Sequence, residues 1–126
     1  MINLIKELTY LSGVSGNEGE VREFILNKVS PFCQTEVDPL GNIICFKKGK
    51  NTPKVKVMVD AHTDEVGFII TSVDDNGFLR FATVGGIDIS VLLCRRVKIG
   101  NISGVIGCKP VHLSSAEERE KMPSKN

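Results

Sequence analysis

The sequence predicts an α/β unit followed by a β-rich unit resembling a small barrel or sandwich. Three observations carry that reading. Residues 2–29 repeat their apolar positions at helical spacing. The run "VKVMVDA" that follows has the valine content and length of a strand in the middle of a sheet. From about residue 66, short apolar runs alternate with Gly, Asn and Asp.

The elements follow in order. "INLIKELTYLSG" puts Ile2, Ile5, Leu8 and Leu11 on or near one helical face, with Gly13 as its stop. "SGNEGEVREFILNKVSP" predicts a second helix with Val21, Phe24, Ile25 and Val29 as its apolar stripe and Pro31 ending it. Ser15 and Glu18 have the spacing of a capping box at its start. "TEVDPLGNIICFKKGKN" predicts two short strands around a Pro/Gly turn. "TPKVKVMVDAH" predicts a strand with Val55, Val57 and Val59 on one face. "EVGFIITSV" and "FLRFATV" flank "DDNG", where Asn-Gly suits the positive φ angles of a tight hairpin. "CRRVKI" and "SGVIGCKP" flank "GN" as a second hairpin, and "HLSSAEEREKM" opens a short polar helix with Ser114 and Glu117 at capping-box spacing.

Composition narrows the function. Sixteen Lys and Arg against fifteen Asp and Glu give no electrostatic case for a nucleic-acid or membrane partner. The start "MINLIKELTYLSG" lacks the pattern of a signal peptide, and no apolar run reaches the ~20 residues of a membrane span. Cys33, Cys45, Cys94 and Cys108 are scattered without a Cys-x-x-Cys pair. Reduced thiols in a cytoplasm are expected.

The chemistry concentrates in "VDAHTDEVG". Asp60, His62 and Asp64 share one parity, so an extended chain points them to one side. His62 is a candidate metal ligand. Asp64 is a candidate second ligand, or the carboxylate that accepts from the other imidazole nitrogen and fixes its tautomer. The pair alone also fits a histidine satisfied at a strand end. A polar cluster closing an apolar strand nevertheless needs a reason. The other candidates have blander explanations. Asp74 and Asp75 suit a turn, Asp88 a loop, Glu117 a cap, and His112 a capping or packing role. Glu65 falls on the opposite parity and reads as structural.

"VMVDAHTDEVGFII" resembles the His-x-Asp strand of the cytosolic metallo-aminopeptidases that include the glutamyl and tetrahedral aminopeptidases, some relatives being labelled endoglucanases. "LTYLSGVSGNEGEVREFI", "DPLGNIICFKKGK", "DDNGFLRFATVGGID" and "GVIGCKPVHLSSAEERE" are similar to further stretches of that family in the same order. The resemblance implies a zinc-peptidase-like α/β catalytic domain with a mixed sheet over residues 1–67. It implies a PDZ-like or barrel-like dimerisation domain over 68–126. It implies two divalent metals per subunit, zinc or cobalt, with His62 as a metal ligand and Asp64 as the catalytic carboxylate that orients it. It also implies a peptide substrate and a homo-oligomer built from dimers into a twelve-subunit shell.

The same resemblance places the bridging carboxylate, the glutamate base and the remaining ligands beyond Asn126. On that reading the chain is an N-terminal portion of such an enzyme, both domain portions are incomplete, and metal binding and activity are weak or absent in it alone. Two alternatives stand beside it. One is a non-catalytic remnant acting only by self-association. The other is a glycoside hydrolase using paired carboxylates such as Asp60 and Asp64, which the absence of Trp and the single Tyr disfavour.

Overall fold

The computed structural model describes residues 1–51, 54–107, 112, 115 and 116. Internal contacts group the chain into two units, Met1–Gly86 and Ile87–Asn126.

The first unit opens with helix α1 (Ile2–Thr9) and helix α2 (Gly19–Val29). Both form where the apolar spacing predicts them. On α2 Val21 is buried, and Phe24, Ile25 and Val29 are half-buried. Two polar contacts tie the helices together. Lys28 Nζ lies 3.3 Å from Glu7, and the Ser12 N–H donates to Glu20 Oε2 at 3.0 Å. The expected capping box is absent. Glu18 occupies the cap position of α2 and no side chain caps it. Glu18 instead accepts from the Gly16 N–H at 2.6 Å, and the Ser15 hydroxyl is engaged by Asp64. The reason is tertiary. The segment before the helix pairs with residue 65, which turns Ser15 toward a distant part of the chain.

Strands β1 (Gln34–Val37) and β2 (Ile43–Phe46) form an antiparallel pair, with Thr35 opposite Cys45. Asp38 organises their turn by accepting from the N–H groups of Leu40 and Asn42, both at 2.9 Å, and from the Asn42 side chain at 2.7 Å. Strands β3 (Gly67–Val73) and β4 (Leu79–Val84) form the next hairpin. Its register shifts between Ile70 and Ser72, and Phe68 meets Phe81 edge-on with ring centroids 4.9 Å apart. In its turn only Gly77 has positive φ, at 82°. Gly77 donates to the Asp74 carbonyl at 2.9 Å, and the Asp74 side chain accepts from Asn76 and Phe78. The loop is therefore a turn closed by a left-handed glycine rather than a two-residue turn with Asn76 and Gly77 both at positive φ.

The central strand predicted from "VKVMVDAH" does not form a ladder among the described residues. Val55, Val57 and Val59 are 72, 84 and 89% exposed. A strand is held by pairing its backbone groups with a neighbour, and none of the described residues pairs with this run. Among the described residues the expected mixed sheet is accordingly three separate antiparallel pairs and one parallel bridge, Val14 to Glu65. That bridge is tight. Glu65 donates to Gly13 O at 2.7 Å, Ser15 donates to Glu65 O at 3.3 Å, and a Cβ built on Gly67 would run into the methyls of Val14.

The second unit contains a short 3-10 helix (Ile89–Val91) capped by Asp88, whose carboxylate accepts from the Ser90 N–H. Strands β5 (Arg96–Ile99) and β6 (Ile102–Val105) pair across Gly100 and Asn101, as the hairpin reading predicts. Leu92 and Ile106 are its buried apolar residues among those described, and the Cys94 N–H, at φ +62°, donates to Ile106 O. The expected cap of Ser114 and Glu117 lies outside the described residues, as does Cys108.

Candidate functional site

The site is built where the chain leaves the exposed valine run and enters β3. The parallel bridge fixes the backbone at residue 65, and the bend just before it brings His62 and Asp64 together. His62 Nδ1 lies 3.0 Å from Asp64 Oδ1 and 3.0 Å from the Asp64 carbonyl oxygen. Both neighbours can only accept, so Nδ1 carries the proton and donates. In the neutral ring this leaves the Nε2 lone pair available, and the His62 side chain is 85% exposed.

Asp64 is held on its other side. The Ser15 hydroxyl donates to Oδ2 while His62 uses Oδ1. The Ser15 hydrogen bond, followed by that from His62, holds the Asp64 carboxyl below the ordinary carboxylate value, with partial burial opposing them. The result is a directed chain, Ser15 to Asp64 from one side and His62 to Asp64 from the other, in which a charged acceptor takes two donors. Leu8, Leu11, Val21 and Ile25 line an open cleft of about 250 Å³ together with His62 and Asp64.

The remaining sequence candidates lie elsewhere. Asp60 is exposed and makes no hydrogen bond or ion pair among the described residues. Glu65 accepts from the Gly13 N–H at 3.4 Å, which suits the structural role expected of it. Asp74 orders its turn and Asp88 its short helix. His112 is exposed and belongs to the second unit. Among the described residues no group of three or more His, Cys, Asp and Glu side chains converges to hold an ion. His62 thus fits one corner of a metal site, and the described residues do not supply the others. Sequence reasoning missed Ser15. Its local spacing to Glu18 was misleading, and its actual acceptor is 49 positions away.

Comparison with known proteins covers nearly the whole chain. Residues 41–126 match the M42 glutamyl aminopeptidase family, and residues 1–24 match a second family, AMPT. A putative aminopeptidase of Acetivibrio thermocellus is 46% identical over 108 residues, which are 85% of this chain and 31% of that protein. Among solved structures, an endoglucanase from Thermotoga maritima superposes with a TM-score of 0.77 at 39% identity, covering 94% of this chain and 41% of that one. The Pyrococcus horikoshii TET1 peptidase, which can assemble into a tetrahedron or a large octahedral shell, superposes with a TM-score of 0.75 at 36% identity. That match covers 97% of this chain and 37% of that one. The chain spans about a third of the length of the curated relatives it matches. With that family match over residues 41–126 and these superpositions of its helices and hairpins, the chain belongs to the M42 glutamyl aminopeptidase family.

Proposed function

We propose that this chain carries the His62–Asp64 portion of the metal site of an aminopeptidase that removes N-terminal residues from peptides. The observation that carries the reading is the double acceptor environment of His62 Nδ1, which leaves Nε2 as a ligand atom. His62 would hold a divalent ion, zinc or cobalt, and Asp64 would fix the ring's tautomer and direction. A bound divalent ion supplies Lewis acidity at the peptide carbonyl. Two ions per subunit need several further ligands and a bridge, which the described residues do not supply. The 126 residues alone would then show little activity.

The finer organisation belongs to the same proposal. Residues 1–67 form part of the catalytic domain, and 68–126 part of a PDZ-like domain through which subunits dimerise. The shells of the TET1 peptidase support assembly of such dimers into a larger homo-oligomer. Cys33, Cys45 and Cys94 are free, which suits a reducing cytoplasm.

The test uses a polypeptide extended to the length of the relatives and assayed on aminoacyl anilides. His62→Ala should abolish turnover, and Asp64→Ala should lower metal affinity or activity by about 10–100-fold. An unchanged rate in the His62 variant would sink the assignment. A second reading, association without catalysis, is favoured by the exposed valines at 55, 57 and 59. Turnover by the purified 126-residue chain, with two ions bound, would refute it. The endoglucanase neighbour motivates one control, a reducing-sugar assay with and without chelator.

A further inference from the structure

We infer that Ser15 is a positioning residue for His62, acting through Asp64. The inference rests on the reading of His62 as a ligand and goes beyond it, because it assigns a role to a residue outside the His-x-Asp pair. A single carboxylate can rotate about its terminal bond and offer either oxygen to the imidazole. In this protein one oxygen of Asp64 accepts the Ser15 hydroxyl and the other faces Nδ1 at 3.0 Å. The hydroxyl therefore locks the plane of the carboxylate, and the carboxylate locks the ring.

The hydroxyl is itself well anchored. The Ser15 N–H donates to Glu65 O, residue 14 forms the parallel bridge to residue 65, and the Glu65 side chain accepts from Gly13. Ser15 is half-buried, whereas His62 is exposed. The rigid end of the chain of contacts is thus Ser15, and the end presented to solvent is the imidazole. A serine at a helix start normally serves its own helix. In this chain no side chain caps α2, so its first turn forgoes a side-chain cap while the hydroxyl serves Asp64.

The experiment compares wild-type, Ser15→Ala, Ser15→Thr and His62→Ala chains of 126 residues, with far-UV circular dichroism to verify folding. Long-range ¹⁵N–¹H spectra of the imidazoles, recorded without metal at pH 8, read the His62 tautomer. The wild type should show the proton on Nδ1. The Asp64 carbonyl remains as an acceptor for Nδ1 in every variant, so Ser15→Ala should raise the fraction of the neutral ring in the Nε2–H form preferred by free imidazole rather than convert it fully, and Ser15→Thr, which keeps the hydroxyl, should return that fraction to the wild-type value. A Ser15→Ala chain that keeps the wild-type fraction overturns the inference. A wild-type chain with Nε2–H overturns it too. Cobalt(II) titration of the same variants, made in the polypeptide extended to the length of the relatives, separates the underlying reading. Cobalt binding lost in His62→Ala and weakened about tenfold in Ser15→Ala, the lower end for residues that support a ligand, upholds both. Cobalt binding unaffected by His62→Ala sinks the ligand assignment, while the metal-free tautomer still decides the role of Ser15.

Discussion

Gly67 shows how narrowly the site's backbone is set. Any side chain there meets the methyls of Val14 at the point where residue 14 bridges to residue 65. Gly67→Ala should destabilise the protein by about 1–3 kcal/mol, the usual cost of overpacking, measured by urea unfolding. It should also weaken the Ser15–Asp64 contact. At this scale the sequence was partly legible. His62 and Asp64 could be paired from their spacing alone, because two residues on one extended segment share a side. Ser15 could not, because a hydroxyl four residues before a helix has a local role ready for it. Only the folded chain shows that a carboxylate 49 positions away outcompetes that role.

The hairpins were as legible as the helices, and for one reason. Their signals are turn residues whose partners lie within four positions. Asp38 is an example, since it gathers three donors from Leu40 and Asn42. The Asn42 side chain, then the backbone donors, hold its carboxyl below the ordinary value of 3.8. A carboxyl depressed in the folded state lends stability that is complete above its unfolded value, about 3.9. That contribution disappears as pH falls through the lower folded value. Amide shifts of Leu40 and Asn42 should therefore hold steady from pH 7 to about 4 and move below it. Asp38→Asn should remove that acid transition while the β1–β2 register persists. The run at 55–59 was read as a strand from equally clear residues, yet pairing is a property of two segments. Its valines announce burial without saying which neighbour provides it.

For the molecule as a whole, the apolar surface left uncovered is the main physical fact. In the first unit Val21, still 7% exposed, is the one buried large apolar residue among the described residues. Val55, Val57, Met58 and Val59 form a continuous exposed stretch of high strand propensity. An unpaired apolar edge of this kind seeks another strand. The 126-residue chain should associate as its concentration rises, and the double substitution Val57→Lys with Val59→Lys should suppress that association. Sedimentation velocity over a range of concentrations provides the measurement. A wild-type chain that stays monomeric throughout would show that the run is covered by other means. The family could be inferred from motif order along the chain, but the extent of uncovered surface could not, because burial depends on everything packed around a residue.

The bridge between residues 14 and 65 also has a consequence in time. The contacts that hold the site, Ser15 to Asp64 and Gly13 to Glu65, join positions 49 and 52 apart. The turns at Asp38 and Asp74 join positions at most four apart. Closing a loop costs about 0.6 kcal/mol more for each doubling of its length, and isolated hairpins form in about 1–10 μs. The hairpins should form first and the site last. In a pulse-labelled exchange experiment during refolding, the amides of Asn42 and Phe78 should gain protection before those of Ser15 and Glu65. The order runs backwards in unfolding, so the Ser15 hydroxyl and the Asp64 carboxylate part company while both hairpins are still intact.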